Sequence, residues 1–129
     1  MSPRLGLLQI NVTDRAMALD FFSKKLGLPC RKGDDATSPF EVDLGNVTVL
    51  VYGVEKLTPS TYATQRITPV IQTDDLVRTI DKWTRAGVEF VPIEWASETS
   101  GIASCPYGRF IAFRDPFGNV FELLQPEPE

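Results

Sequence analysis

Two stretches of this chain repeat the same signals in the same order, and that repetition limits the fold more than any other feature. Thr13-Asp14 and Thr73-Asp74 stand 60 residues apart, and so do Gly27 and Gly87. In each copy, Leu7 to Leu28 and Ile67 to Val88, an apolar strand-like run leads into Thr-Asp, then an amphipathic helix, then glycine. Asp14 is the expected N-cap of the first helix, because a carboxylate there accepts the unpaired amides of the first turn. Leu19, Phe22 and Leu26 form its inner stripe, and Gly27 ends it in the left-handed conformation. In the second copy Asp74 or Asp75 caps a helix whose stripe is Leu76, Ile80 and Trp83, closed by Gly87.

Short β patterns follow each helix. They run from Phe40 to Leu44, from Val47 to Tyr52 after the Gly45-Asn46 turn, and more weakly from Pro29 to Lys32. The second set runs from Val91 to Trp95, from Arg109 to Arg114, and from Val120 to Gln125 after Pro116-Phe117-Gly118-Asn119. The implied unit is βαβββ, used twice, in an α+β chain. With 129 residues, 43% of them hydrophobic, the length suits one domain over residues 1–129. Its first module covers about 4–53, a linker 54–66, and its second module about 67–126. The linker, with Pro59 and Ser60, is long enough to carry a loop that touches a ligand.

The absence of histidine removes whole classes of chemistry. Neither a Ser-His-Asp or Cys-His nucleophile nor an HExxH zinc site nor a two-His-one-carboxylate iron site can be assembled. Cys30 and Cys105 are far apart and read as free thiols rather than a disulfide framework or zinc site. A net charge of −4 without a basic cluster argues against a nucleic-acid partner. No apolar run reaches spanning length and Met1-Ser2-Pro3-Arg4 lacks a signal core, so no membrane association and a cytoplasmic location are expected.

The run from Asp14 to Gly27, with Phe21-Phe22 and Leu26-Gly27, resembles the first-helix signature of the vicinal oxygen chelate superfamily, which includes glyoxalase I, bleomycin-resistance proteins and extradiol dioxygenases. Tyr107-Gly108-Arg109, Phe113 to Asn119 and Phe121-Glu122-Leu123 resemble its C-terminal signature. The resemblance implies the glyoxalase-like fold, two paired βαβββ modules forming a curved mixed sheet around a cleft. Metal enzymes of that superfamily carry one ligand on each of four strands. By distance to landmarks those positions fall at Leu7, near Val49, at Thr68 and at Glu122. Only Glu122 is a usual ligand, and Gln9 would raise the donors to two, whereas such sites need three or four. A metal-free member without a cofactor is the expectation.

If Leu7 faces the cleft, strand alternation puts Gln9 and Asn11 there too, with Leu8, Ile10 and Val12 beneath the helices. Thr68, Val70 and Gln72 line it from the second module, and Val120, Glu122 and Leu124 from the last strand. Glu122 is either a general base or anchor for a cationic group, or a relic satisfied by Gln9, Arg109, Arg114 or water. Trp95, Tyr107 and Phe110 are candidates for stacking at the cleft mouth, or else fill the core or an interface; Trp83 reads as core. Arg109 and Arg114 could reach an anionic substituent or serve structure alone. The span Ala96 to Gly101 reads as a mobile loop over the cleft.

Four functions compete. The leading one is a metal-free protein that binds a small organic molecule, its site expected to be lined by Leu7, Gln9, Asn11, Val49, Thr68, Val70, Gln72, Trp95, Tyr107, Phe110 and Glu122. The alternative is a cofactor-free isomerase, epimerase or lyase with Glu122 as base and Gln9, Asn11 and Gln72 as amide donors. A metal-dependent glyoxalase or dioxygenase and a ligand-free scaffold complete the set. A homodimer is expected, because small curved sheets leave edges to cover.

Overall fold

The computed structural model describes residues 3–33 and 38–128, and the chain separates into two compact units, Met1–Thr58 and Pro59–Glu129. Unit one runs β1 (Leu7–Val12), α1 (Arg15–Leu19), a π-helical continuation (Asp20–Lys25), β2 (Cys30–Arg31), β3 (Phe40–Asp43) and β4 (Thr48–Gly53). Its sheet order is β1-β4-β3-β2, with β1 parallel to β4 and the other pairs antiparallel. Asp14 caps α1 by accepting the Met17 amide at 3.0 Å. Helix and sheet meet over Val12, Ala18, Phe21, Phe22, Leu26, Phe40 and Val51, all buried. Phe21 and Phe22 pack edge to face at 5.1 Å. Adjacent residues of an α-helix diverge by about 100°, so burying both rings calls for a broad apolar face, and the π turn lies at this point.

Unit two runs β5 (Val70–Gln72), α2 (Leu76–Arg85), β6 (Glu89–Val91), β7 (Ala103–Cys105), β8 (Gly108–Arg114) and β9 (Val120–Pro126). Its sheet order is β5-β9-β8-β6, and β7 takes the remaining length of the β8 edge beside β6. Asp75, not Asp74, caps α2, accepting the Arg78 amide at 3.1 Å. Leu76 and Trp83 are buried, and Trp83 meets Phe113 at 5.1 Å while Phe113 stacks on Phe121 at 5.2 Å.

The βαβββ order holds in both units, with two departures in the second. The strand expected over Val91 to Trp95 occupies Glu89–Val91 instead. Pro92 has no amide to continue the ladder, and the Ile93 amide bonds to the Gly101 carbonyl at 2.9 Å. β7 was not anticipated; three residues between Gly101 and Pro106 carry too short an alternation to register as a strand. β8 begins where only glycine fits, since Gly108 has φ 145° and a Cβ there would lie 2.0 Å from the Gln125 carbonyl oxygen. Among the described residues no helix is long and apolar enough to cross a membrane.

Candidate functional site

The β8–β9 turn fixes the strand that carries Glu122. Asp115 is buried and accepts the Phe117 and Asn119 amides, each at 2.9 Å, and the Asn119 side-chain amide at 2.7 Å. Burial raises its carboxyl above the ordinary value of 3.8, a push only partly offset by those hydrogen bonds. From this turn β9 runs in register with its neighbours, so that Glu122 lies opposite Val70 on one side and Ala112 on the other.

The Glu122 carboxylate accepts a hydrogen bond from the Tyr62 hydroxyl. Burial, followed by that bond and the charge of Glu122, pushes the Tyr62 phenol above its ordinary value. None of the partners expected for Glu122 within this unit is used: Arg109 pairs with Glu98 and Arg114 with Glu89, each at 3.2 Å. The linker segment that brings Tyr62 is fastened by Gln65. Its amide donates to the Val120 carbonyl at 2.8 Å and accepts the Val120 amide at 3.0 Å, and also donates to Thr68 Oγ1 at 3.2 Å. A side chain thus bonds β9 as a neighbouring strand would.

Between this segment and the residues after β6 lies a groove of about 510 Å³. Thr61, Tyr62 and Ala63 form one side, Val91 to Trp95 the other, and Arg114 also reaches it. Ile93, Ala103, Phe110, Ala112 and Val120 form a buried cluster on which Tyr62, Val91 and Leu124 pack. Trp95 is 67% exposed, with its ring 5.9 Å from that of Phe110. Ala96 to Gly101 is tied down at two points, by the pair between Glu98 and Arg109 of β8 and by the bond from the Ile93 amide to the Gly101 carbonyl.

The candidates read from sequence are therefore dispersed. Trp95 borders the groove, Glu122 lies behind Tyr62, and Phe110 is buried beneath Trp95 instead of standing at a cleft mouth. Tyr107 is exposed at the β7–β8 turn, and Val70 and Gln72 are exposed on β5. In unit one Leu7, Gln9 and Asn11 share an exposed face, with Leu8, Ile10 and Val12 on the more buried one. Val49 is a correction: it pairs with Leu8, so it belongs to the buried face, and Thr48, Leu50 and Tyr52 are the residues opposite Leu7, Gln9 and Asn11. Tyr62 and Gln65 were missed as individuals, because a side chain bridging to a main chain leaves no periodic mark in sequence. Cys30 donates its thiol to the Leu28 carbonyl at 3.5 Å, and burial raises its pKa. Among the described residues no three His, Cys, Asp or Glu side chains gather as a metal site would require.

The sequence profile described as Glyoxalase/Bleomycin resistance protein/Dioxygenase superfamily matches residues 4–123, and the chain belongs to that superfamily. Its α+β architecture is the glyoxalase-like fold. Solved structures agree. The genomically encoded fosfomycin resistance protein FosX from Listeria monocytogenes is 18% identical, with 98% of this chain and 94% of that one covered at a TM-score of 0.73. TnmS3, an antibiotic binding protein from Streptomyces sp. CB03234, is 19% identical, with 98% of both chains covered at 0.71. A glyoxalase/bleomycin resistance protein from the same Streptomyces is 20% identical, with 95% and 100% covered at 0.68. No curated protein matches the sequence.

Proposed function

We propose that this protein is a metal-free binder of a small organic molecule, which it holds in the groove of unit two. The observation that carries the reading is the groove itself: about 510 Å³, with apolar and aromatic walls from Tyr62, Val91, Ile93 and Trp95 and polar groups from Thr61, Glu94 and Arg114. That is the size and lining of a site for a drug-sized ligand. The donor set supports the metal-free part, since the expected ligand positions Leu7, Val49 and Thr68 offer one hydroxyl among them and Glu122 is held by a phenol. The description of TnmS3 as antibiotic binding agrees with a binding role on this fold. Proton abstraction by Glu122, the competing reading, would fall to the oxygen that Tyr62 does not bond, on a carboxylate made less basic by the phenol, and that bond weighs against it.

The test combines elemental analysis with intrinsic fluorescence. Trp83 is buried and Trp95 exposed, so a ligand in the groove changes the Trp95 emission and leaves that of Trp83 as an internal reference. The expected outcome is no stoichiometric metal, no rise in melting temperature with Ni²⁺, Zn²⁺, Mn²⁺ or Fe²⁺, and ligands whose quenching disappears in Trp95→Phe. One metal per chain, lost in Glu122→Ala, would overturn the reading.

A further inference from the structure

The charge pattern of the groove, together with its aromatic walls, points to the class of molecule that fits it. Of the two charged side chains that line it, Arg114 is already matched, its Nη1 lying 3.2 Å from Glu89. Glu94 has no cationic partner among the described residues. Behind the wall stands a second carboxylate, Glu122, whose partner is a neutral phenol and not a cation. The charge left without a cationic partner, Glu94 in the lining and Glu122 bonded to Tyr62, is therefore negative.

The aromatic groups are arranged to use that charge. Trp95 rests on Phe110, with ring centroids 5.9 Å apart, yet remains 67% exposed, leaving indole surface free to be covered. Tyr62 donates its hydroxyl proton toward a carboxylate, which shifts electron density onto the ring and deepens the negative potential of its face. Indole and phenol faces attract cations as well as flat rings, and a carboxylate beside them adds to the first attraction and not to the second.

We infer that the groove takes a planar aromatic molecule bearing a positive charge, with its ring against Trp95 and its charge toward Glu94 and Tyr62. This inference rests on the reading of the groove as the ligand site, and the experiment separates the two. Two probes share one ring system and differ in charge: 9-aminoacridine, a cation at neutral pH, and acridine-9-carboxylate, an anion. Their affinities are measured by titration calorimetry at low and moderate salt, for wild type, Glu94→Gln and Trp95→Ala. Both substituted positions are exposed, so the variants fold.

The expected result is a cation bound at least about tenfold more tightly than the anion, with the ratio falling about fivefold in Glu94→Gln and at higher salt. Trp95→Ala weakens both probes about tenfold. If both bind equally, or the anion better, and Trp95→Ala still weakens them, the charge assignment is overturned while the groove stands as a ligand site. If neither probe binds in a Trp95-dependent way, the groove reading fails and the inference with it.

Discussion

The two helices that the repeat makes equivalent are built differently. From the cap Asp14 to Gly27 is 13 residues, but from the cap Asp75 to Gly87 is 12. The first helix absorbs the extra residue in its π turn, where the Leu26 amide bonds to the Phe21 carbonyl five residues back. In α2 the equivalent Ala86 amide bonds to Lys82, four residues back. Phe22 and Trp83 consequently both stand eight residues past their caps and both are buried, although the glycines follow them at different distances. The terminating glycines keep the 60-residue frame while the helix interior takes up the slip. An insertion is tolerated where a wider turn can hold both core ring and terminator in place.

Single-residue deletions are the strongest way to break this comparison. Removing Ser23, which is exposed in the π turn, should let that turn close to an α turn and change unfolding free energy by less than about 1 kcal/mol. Removing Thr84 from α2, where no spare residue exists, should cost about 3 kcal/mol or more because Trp83 and Gly87 cannot both keep their places. Denaturant midpoints for both variants decide the matter, and equal losses would show that the π turn is not the spare residue.

The hairpin turns sharpen the contrast further. Asp43 is exposed and accepts the Gly45 amide at 2.7 Å, whereas Asp115 is buried and accepts two amides and a side chain. Asp115→Asn should cost about 1–3 kcal/mol by setting one NH₂ against another, and Asp43→Asn should cost little. The pH dependence has a definite sign. Because the folded-state pKa of Asp115 is raised, its contribution to stability is fully present below the ordinary value of 3.8 and is lost as pH rises through the higher folded value. The gap between wild type and Asp115→Asn should therefore narrow as pH increases across that window; a widening gap in denaturation curves would contradict the burial argument. The smallest effects belong to the caps. Asp14→Ala and Asp75→Ala should each cost about 1 kcal/mol, with Asp74→Ala near zero by the same measurement.

Much of the fold was legible in sequence because the repeat, the caps and the strand alternation are local signals. Asp14, Gly27 and Gly87 stand where local chemistry puts them, and the alternation of Leu7, Gln9 and Asn11 with Leu8, Ile10 and Val12 follows from strand geometry. The features that escaped depend on contacts between distant residues. Distance along the chain puts Val49 on the cleft face, but its face is set by pairing with Leu8, 41 positions away. Phe110 has the composition of a site aromatic but lies under Trp95, and Tyr62 and Gln65 act through partners 60 and 55 residues distant. The absence of histidine constrained the chemistry from the outset, but the groove depends on how the linker lies against β9.

The parallel pairs impose an order on the folding of each unit. β1 meets β4 and β5 meets β9 across separations of 41 and 52 residues, while β3–β4 and β8–β9 are joined by short turns. Closing a long loop costs more chain entropy than closing a short one. The hairpins should form first, and the first strand of each unit should dock last on an edge already in place. In hydrogen exchange the amides of β1 and β5 are expected to open before those of β8 and β9. The segment carrying Tyr62 and Gln65, which precedes β5 and bonds to β9, would then be among the last to settle, so the groove would be completed only after the sheet beneath it.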